Sequence, residues 1–186
     1  MSRFTVAPLT INGLCLVERK VIGDERGFLS RVFCADDLHE AGWVWPVSQI
    51  NHSLTKVRGT VRGMHFQSPP VAEAKLVSCL RGVVWDVAVD LRRDSPTFLQ
   101  WHAEELTAAN RRALLIPPGF AHGFQALEPD SELVYVHSAS YSPSHEGALN
   151  PRDPCLAIRW PLDVAAISEK DANSQMIGPD FRGITL

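Results

Sequence analysis

The stretch RGMHFQSPPVAEAK, from Arg62 to Lys75, carries three groups able to do chemistry together. Arg62 and His65 lie in one short apolar run and Lys75 opens the next, with a proline-containing connection between them. That connection is short enough for all three side chains to face one cavity. Taken singly, each has an ordinary explanation as a surface charge or as a core histidine with its hydrogen bonds made. Together they suggest a ligand site, because polar groups on the inner face of a small barrel cost free energy unless they are paired or bind something.

A metal site would need two or three imidazoles or carboxylates converging at bonding distance, often as His-x-His on one strand. The residue two after His65 is Gln67, a poor transition-metal ligand, and His122 is the one other histidine in a comparable strand setting. No metal and no other cofactor is therefore expected. Proton transfer fits better, since an imidazole titrates near neutral pH and serves as a base in a pocket without a metal. Tyr135, in LVYVHSASY, is the phenol to sit across the cavity, although a strand tyrosine is more often packing. Asp171 ends ISEKD, where Ser168 and Asp171 have the spacing of a helix-capping box. A carboxylate reaching the histidine would fix its tautomer and support its cationic form. Asp86 competes with Asp171 for that role.

The elements that must position these groups read mainly as strands. In AKLVSCLRGVVWDVAVDLR, two strand-forming runs meet at Arg81 and Gly82. The spacing predicts a hairpin with Val83, Trp85, Val87 and Val89 on one face and Asp86 and Asp90 on the other. ALLIPPGFAHGFQAL, broken by a Pro-Pro-Gly turn, and SELVYVHSASY add further strands. Helix candidates are short: CADDLHEAGW, TAANRRALL and SEKDANSQM. Many short strands with Gly and Pro between them indicate an all-β sandwich or barrel, expected to form one domain over residues 1–186.

Composition narrows the function. With 18 Lys and Arg against 21 Asp and Glu, the net charge is -3, and no basic stripe offers itself to nucleic acid. No apolar run reaches the roughly 18 residues of a membrane span. The first residues lack a secretory pattern, so a cytoplasmic protein is expected. Cys15, Cys34, Cys79 and Cys155 are scattered without a CxxC pair and are read as reduced packing residues.

The strings DERG, QINHS, VRGMHFQ, AKLV, DVAVDLR, SPTF, IPPGFAHGF, YSPSHEG, IRWPL and ISEKD occur in an order and spacing that resembles the dTDP-4-dehydrorhamnose 3,5-epimerase family, from about residue 5 to 175. The resemblance implies a double-stranded β-helix barrel of the cupin, or jelly-roll, class with a few short helices. It also implies a metal-free homodimer in which an N-terminal strand extends the neighbour's sheet. Carried over by position, it makes His65 the base, Asp171 its orienting carboxylate, Tyr135 the proton donor and Lys75 the group beside the sugar carbonyl. Arg62 and His122 match positions that hold the diphosphate and sugar. Gln49, Asn51, Tyr141, Glu146 and Lys170 match other binding positions, and Arg26 matches a nucleotide contact.

The pattern departs after DERG, where Leu29 and Arg31 stand in place of the family's usual aromatic and glutamate. Those positions lie where a partner subunit is expected to meet the nucleobase, with Phe28 able to supply the missing ring. The implied activity is epimerisation of a nucleotide-linked 4-keto-6-deoxyhexose at C3 and C5, with thymidine as first choice of base. Alternatives are inversion of one centre, 3,4-ketoisomerisation, a non-catalytic sugar-nucleotide binder and a metal-dependent cupin enzyme.

Overall fold

The computed structural model describes residues 2–186. Its strands, in chain order, are β1 (Phe4–Pro8), β2 (Cys15–Arg19), β3 (Val21–Asp24), β4 (Gly27–Ser30), β5 (Gln49–Thr55), β6 (Val61–Gln67), β7 (Lys75–Arg81), β8 (Val83–Asp90), β9 (Trp101–Thr107), β10 (Arg112–Ile116), β11 (Phe120–Ala126), β12 (Ser131–His137) and β13 (Glu146–Ala148). Of two one-turn helices, α1 (Ala35–Leu38) lies in the connection between β4 and β5 and α2 (Glu169–Ala172) in the C-terminal segment after β13. Six strands form one sheet in the order β1-β2-β10-β7-β12-β5, and five form a second in the order β13-β6-β11-β8-β9. From β5 onward the chain passes between the sheets at nearly every connection, as the double-stranded β-helix requires.

The expected hairpin at Arg81–Gly82 does not form. β7 pairs with β10 and β12, whereas β8 pairs with β11 and β9 in the other sheet. Gly82 turns this corner at φ +74, where a side chain would run into Ser131. The two faces of β8 are as read, but both are covered: Asp86 and Asp90 are fully buried, and the opposite Val87 and Val89 pack beneath the C-terminal segment. TAANRRALL is a turn followed by β10 rather than a helix. Asn110 accepts from the amides of Thr107 and Arg112 and donates to the Glu105 carbonyl, which closes the turn before a helix can propagate.

Alternation of side chains sorts the barrel interior into an apolar end and a polar end. Lys75, Val77 and Cys79 share one face of β7, and they lie opposite His137, Tyr135 and Leu133 of β12. Cys79 and Leu133 join Val84, Leu106, Leu114, Phe120 and Phe124 in the inner core. Each buried Leu or Phe there contributes about 1.5–3 kcal/mol over an exposed one. Two residues along the strands the apolar layer gives way, through Val77 and Tyr135, to Lys75 and His137.

The sheets are also covered outside. Trp43, Leu38 and Phe33 lie over the six-stranded sheet, and Leu149, Leu156, Phe181 and Ile184 over the five-stranded one. That second cover delivers Asp171. Parallel bridges at Thr60–Ala166 and Leu149–Gln175 pin the chain on both sides of α2, and Ser168 caps it by accepting from the Asp171 amide at 3.0 Å.

Candidate active site

His65 and His122 are register partners on β6 and β11, so their rings enter the cavity side by side from the five-stranded wall. A glycine pair permits this approach. A Cβ at Gly63, which sits at φ +133, would stand 2.5 Å from the Gly123 Cα. Each ring has its own carboxylate: His65 Nε2 donates to Asp171 Oδ1 at 2.8 Å, and His122 Nε2 to Asp86 Oδ1 at 2.8 Å. Asp86, the competing candidate, therefore belongs to His122. Asp171 fills both roles read for it, with its amide in the cap and its carboxylate on His65 and on the Gly63 amide. Burial alone would raise the Asp171 pKa. The hydrogen bond and charge of His65, with the Gly63 and Ser168 bonds, outweigh burial and hold it below the usual carboxylate range. With Nε2–H committed to Asp171, the lone pair of His65 sits on Nδ1, which has no hydrogen-bond partner among the described residues.

The six-stranded wall carries Tyr135, Lys75 and His137. The Tyr135 hydroxyl is 3.2 Å from Ser53 Oγ, and its ring stands edge-on to His122 with centroids 6.0 Å apart. Burial pushes its pKa far above that of a free phenol. Lys75 is nearly buried and ion-paired to Glu73 at 2.9 Å. The other oxygen of Glu73 accepts from His137 Nδ1 at 3.0 Å and from Gln67 Nε2 at 3.3 Å. Here too burial favours the neutral acid, but the His137 bond and the Lys75 charge overcome it and hold the Glu73 pKa below its ordinary value.

His65, His122, Tyr135, Lys75 and His137, with Arg62 and Asn51, line one hollow of ≈ 220 Å³. It adjoins a second of ≈ 520 Å³, lined by Gln49, Glu73, Tyr141 and Glu146 among others, within the range that takes a small organic ligand. Arg62 donates to the Leu54 carbonyl at 3.2 Å. On the rim, Glu146 accepts from both Tyr141 Oη (2.9 Å) and Lys170 Nζ (2.7 Å). Gln49 holds the Tyr141 amide at 2.9 Å.

Arg26, Phe28, Leu29 and Arg31 are not in this cavity. The β3–β4 hairpin carries the first three on a separate exposed hollow, where Arg26 pairs with Asp24, and Arg31 pairs with Asp37 at 3.2 Å.

Glu73 and His137 were missed in the sequence, and the expectation that His122 was the one other strand histidine in such a setting is corrected. The signal for His137 was present: it lies two residues after Tyr135 and so shares its face. Glu73 lies in a loop, where no periodicity points to it. Among the described residues no group of three or more His, Cys, Asp or Glu side chains is gathered to hold a metal ion.

Residues 8–178 match the family model described as dTDP-4-dehydrorhamnose 3,5-epimerase. The chain belongs to that family. A Pseudomonas aeruginosa dTDP-4-dehydrorhamnose 3,5-epimerase is 46% identical over 166 residues, covering 88% of this chain and 90% of that protein. A Streptomyces niveus dTDP-4-dehydrorhamnose 3-epimerase is 38% identical over 171 residues, covering 91% and 82%. The crystal structure of the Legionella pneumophila dTDP-6-deoxy-D-glucose-3,5-epimerase in complex with dTDP-4-keto-L-rhamnose superposes with a TM-score of 0.91 at 38% identity, covering 98% and 99%. Its likeness extends to the whole two-sheet barrel, so the fold read here is the epimerase family's cupin jelly roll.

Proposed function

We propose that this chain inverts C3 and C5 of a thymidine-diphosphate-linked 4-keto-6-deoxyhexose, with His65 as base, Tyr135 as acid and Lys75 as the donor to the carbonyl oxygen. The observation carrying this reading is that His65 and Tyr135 line one cavity from different sheets, with Lys75 lining the same cavity.

The ketone at C4 acidifies the hydrogens on C3 and C5, and removal of either leaves an enolate with its charge largely on the former carbonyl oxygen. Lys75 meets that oxygen with a fixed cation in a poorly hydrated wall, a contribution of about 3–4 kcal/mol to the barrier. His65 takes the proton, and Asp171 stabilises the imidazolium that results. Tyr135 returns a proton from the other face, so the carbon inverts. Its desolvated phenol keeps its proton until a strong carbon base forms, and Ser53 beside it offers a route to replace that proton. Arg62 and His122 bind diphosphate and sugar, and binding energy gained there positions the distant ring. Gln49, Asn51, Tyr141, Glu146 and Lys170 shape the remainder of the substrate site.

The working unit in this proposal is a homodimer. Phe28 and Leu29 are 70% and 71% exposed on the β3–β4 hairpin, and Ile50 on the edge strand β5 is 64% exposed. Apolar groups so displayed suit a contact between copies, through which Arg26, Phe28, Leu29 and Arg31 reach a neighbour's nucleotide. Among the described residues no helix is long and apolar enough to cross a membrane. All four cysteines are free, which supports a reducing, cytoplasmic setting.

Incubation with the keto-sugar nucleotide in deuterated water tests the reading. Deuterium at C3 and C5 is the expected result. Deuterium at one of the two positions alone makes the chain a one-centre epimerase, an activity that at C3 is the one named for the Streptomyces niveus relative. Deuterium at neither position rejects both.

A further inference from the structure

We propose that Glu73 is a positioning residue for the reaction: it holds the Lys75 ammonium and the His137 ring side by side on the cavity wall so that Lys75 meets the sugar carbonyl oxygen already oriented. The inference rests on the epimerase reading above and adds to it a role for two residues that the reaction scheme does not otherwise use.

Lys75 and His137 are register partners on β7 and β12, so their Cα atoms face each other across the ladder and their side chains leave the sheet on the same side. Glu73 lies just before β7 and divides its two oxygens between them, Oε1 to Lys75 at 2.9 Å and Oε2 to His137 Nδ1 at 3.0 Å. Gln67 of β6, in the opposite sheet, adds a donor to Oε2 at 3.3 Å, while its own Oε1 accepts from the Ser142 amide at 2.6 Å. His137 Nε2 is 3.4 Å from Asn51 Nδ2, and Asn51 Oδ1 accepts from Gln49. The carboxylate is thus gripped from both sheets and cannot follow Lys75 if the lysine swings. A lysine chain has four rotatable methylenes and an ammonium with three equivalent donors, so alone it has no preferred direction. Anchoring one N–H on a fixed carboxylate aims the other two.

A carboxylate serving only to neutralise a buried lysine would need one contact. Glu73 makes three, and His137 and Lys75 both line the hollow that His65 and Tyr135 share. An electrophile displaced by about an ångström loses on the order of a hundredfold in rate, which sets the scale of the expected effect.

The test is a cycle of Glu73→Gln, Lys75→Met and the double variant, each measured for kcat, KM and C3 deuterium exchange. Circular dichroism and binding of thymidine diphosphate show that each is folded. Glu73→Gln keeps the shape of the side chain and loses its charge. It should lower kcat and exchange together by 10- to 100-fold while KM stays within threefold of wild type. In the Lys75→Met background the same change should cost nothing further, because a residue acting through Lys75 has nothing left to position. Glu73→Gln within threefold of wild-type kcat, or losses that multiply in the double variant, would overturn the role of Glu73 while wild-type exchange leaves the epimerase reading standing. A wild-type chain that exchanges neither hydrogen overturns both.

Discussion

The two walls of the cavity hold their ionisable groups in different ways. On the five-stranded wall each imidazole has a carboxylate of its own, Asp171 for His65 and Asp86 for His122. On the six-stranded wall one carboxylate, Glu73, serves both Lys75 and His137, and Tyr135 has, among the described residues, only the Ser53 hydroxyl. A private carboxylate prepares a ring to accept a proton and remain charged. A shared one, in the role proposed for Glu73, aims donors, and a phenol without a charged partner keeps its proton until something basic claims it. In the epimerase reading proposed above, the first wall takes a proton through His65 and the second returns one through Tyr135.

Removing the proposed base should break that division most severely. His65→Asn is expected to lower kcat by at least a thousandfold and to abolish deuterium exchange at C3 and C5, while thymidine diphosphate still binds by calorimetry. Asp171→Asn tests whether the private carboxylate matters for chemistry. It leaves the ring in place but supports the wrong tautomer, and steady-state kinetics should show a loss between about a hundredfold and ten-thousandfold in kcat with little change in KM.

Acid stability sharpens the comparison further. Asp171 and Glu73 are both held below their ordinary values in the folded chain, so their ionisation favours folding above the unfolded values of about 3.9 and 4.3. That gain disappears as pH falls through the depressed folded values. The urea midpoint should therefore decline steeply below about pH 4, and Asp171→Asn or Glu73→Gln should each flatten the decline relative to wild type. The smallest effect belongs to the hairpin outside both walls. Phe28→Ala should leave kcat per site unchanged and raise KM by a few-fold, with a weaker dimer by analytical ultracentrifugation.

Part of this site was legible in the sequence because Arg62, His65 and Lys75 lie close along the chain and because strands impose a period of two, while the roles of most residues came from the family resemblance. The alternation in VVWDVAVD put Asp86 and Asp90 on one face of β8, and the Pro-Pro-Gly turn separated β10 from β11 as read. What periodicity lacks is information on which strands pair. The runs meeting at Gly82 look like a hairpin because each is a good strand, yet they enter different sheets, and only long-range pairing with β10, β11 and β12 decides that. Asn110 is similar, since a single side chain closing a turn overrode the helix-favouring residues around it. Glu73 was invisible because its role comes from tertiary contacts to β6, β7 and β12. Asp171 could be read two ways, and the structure uses its backbone for one and its side chain for the other.

The most direct measurement of the opposed-wall account follows deuterium in a Tyr135→Phe variant supplied with keto-sugar nucleotide in deuterated water. With the base intact and the acid gone, C3 should still exchange its hydrogen, the deuterium arriving on the original face, while inverted product falls by a hundredfold or more. Exchange lost as completely as in His65→Asn, or inversion continuing at the wild-type rate, would contradict the account.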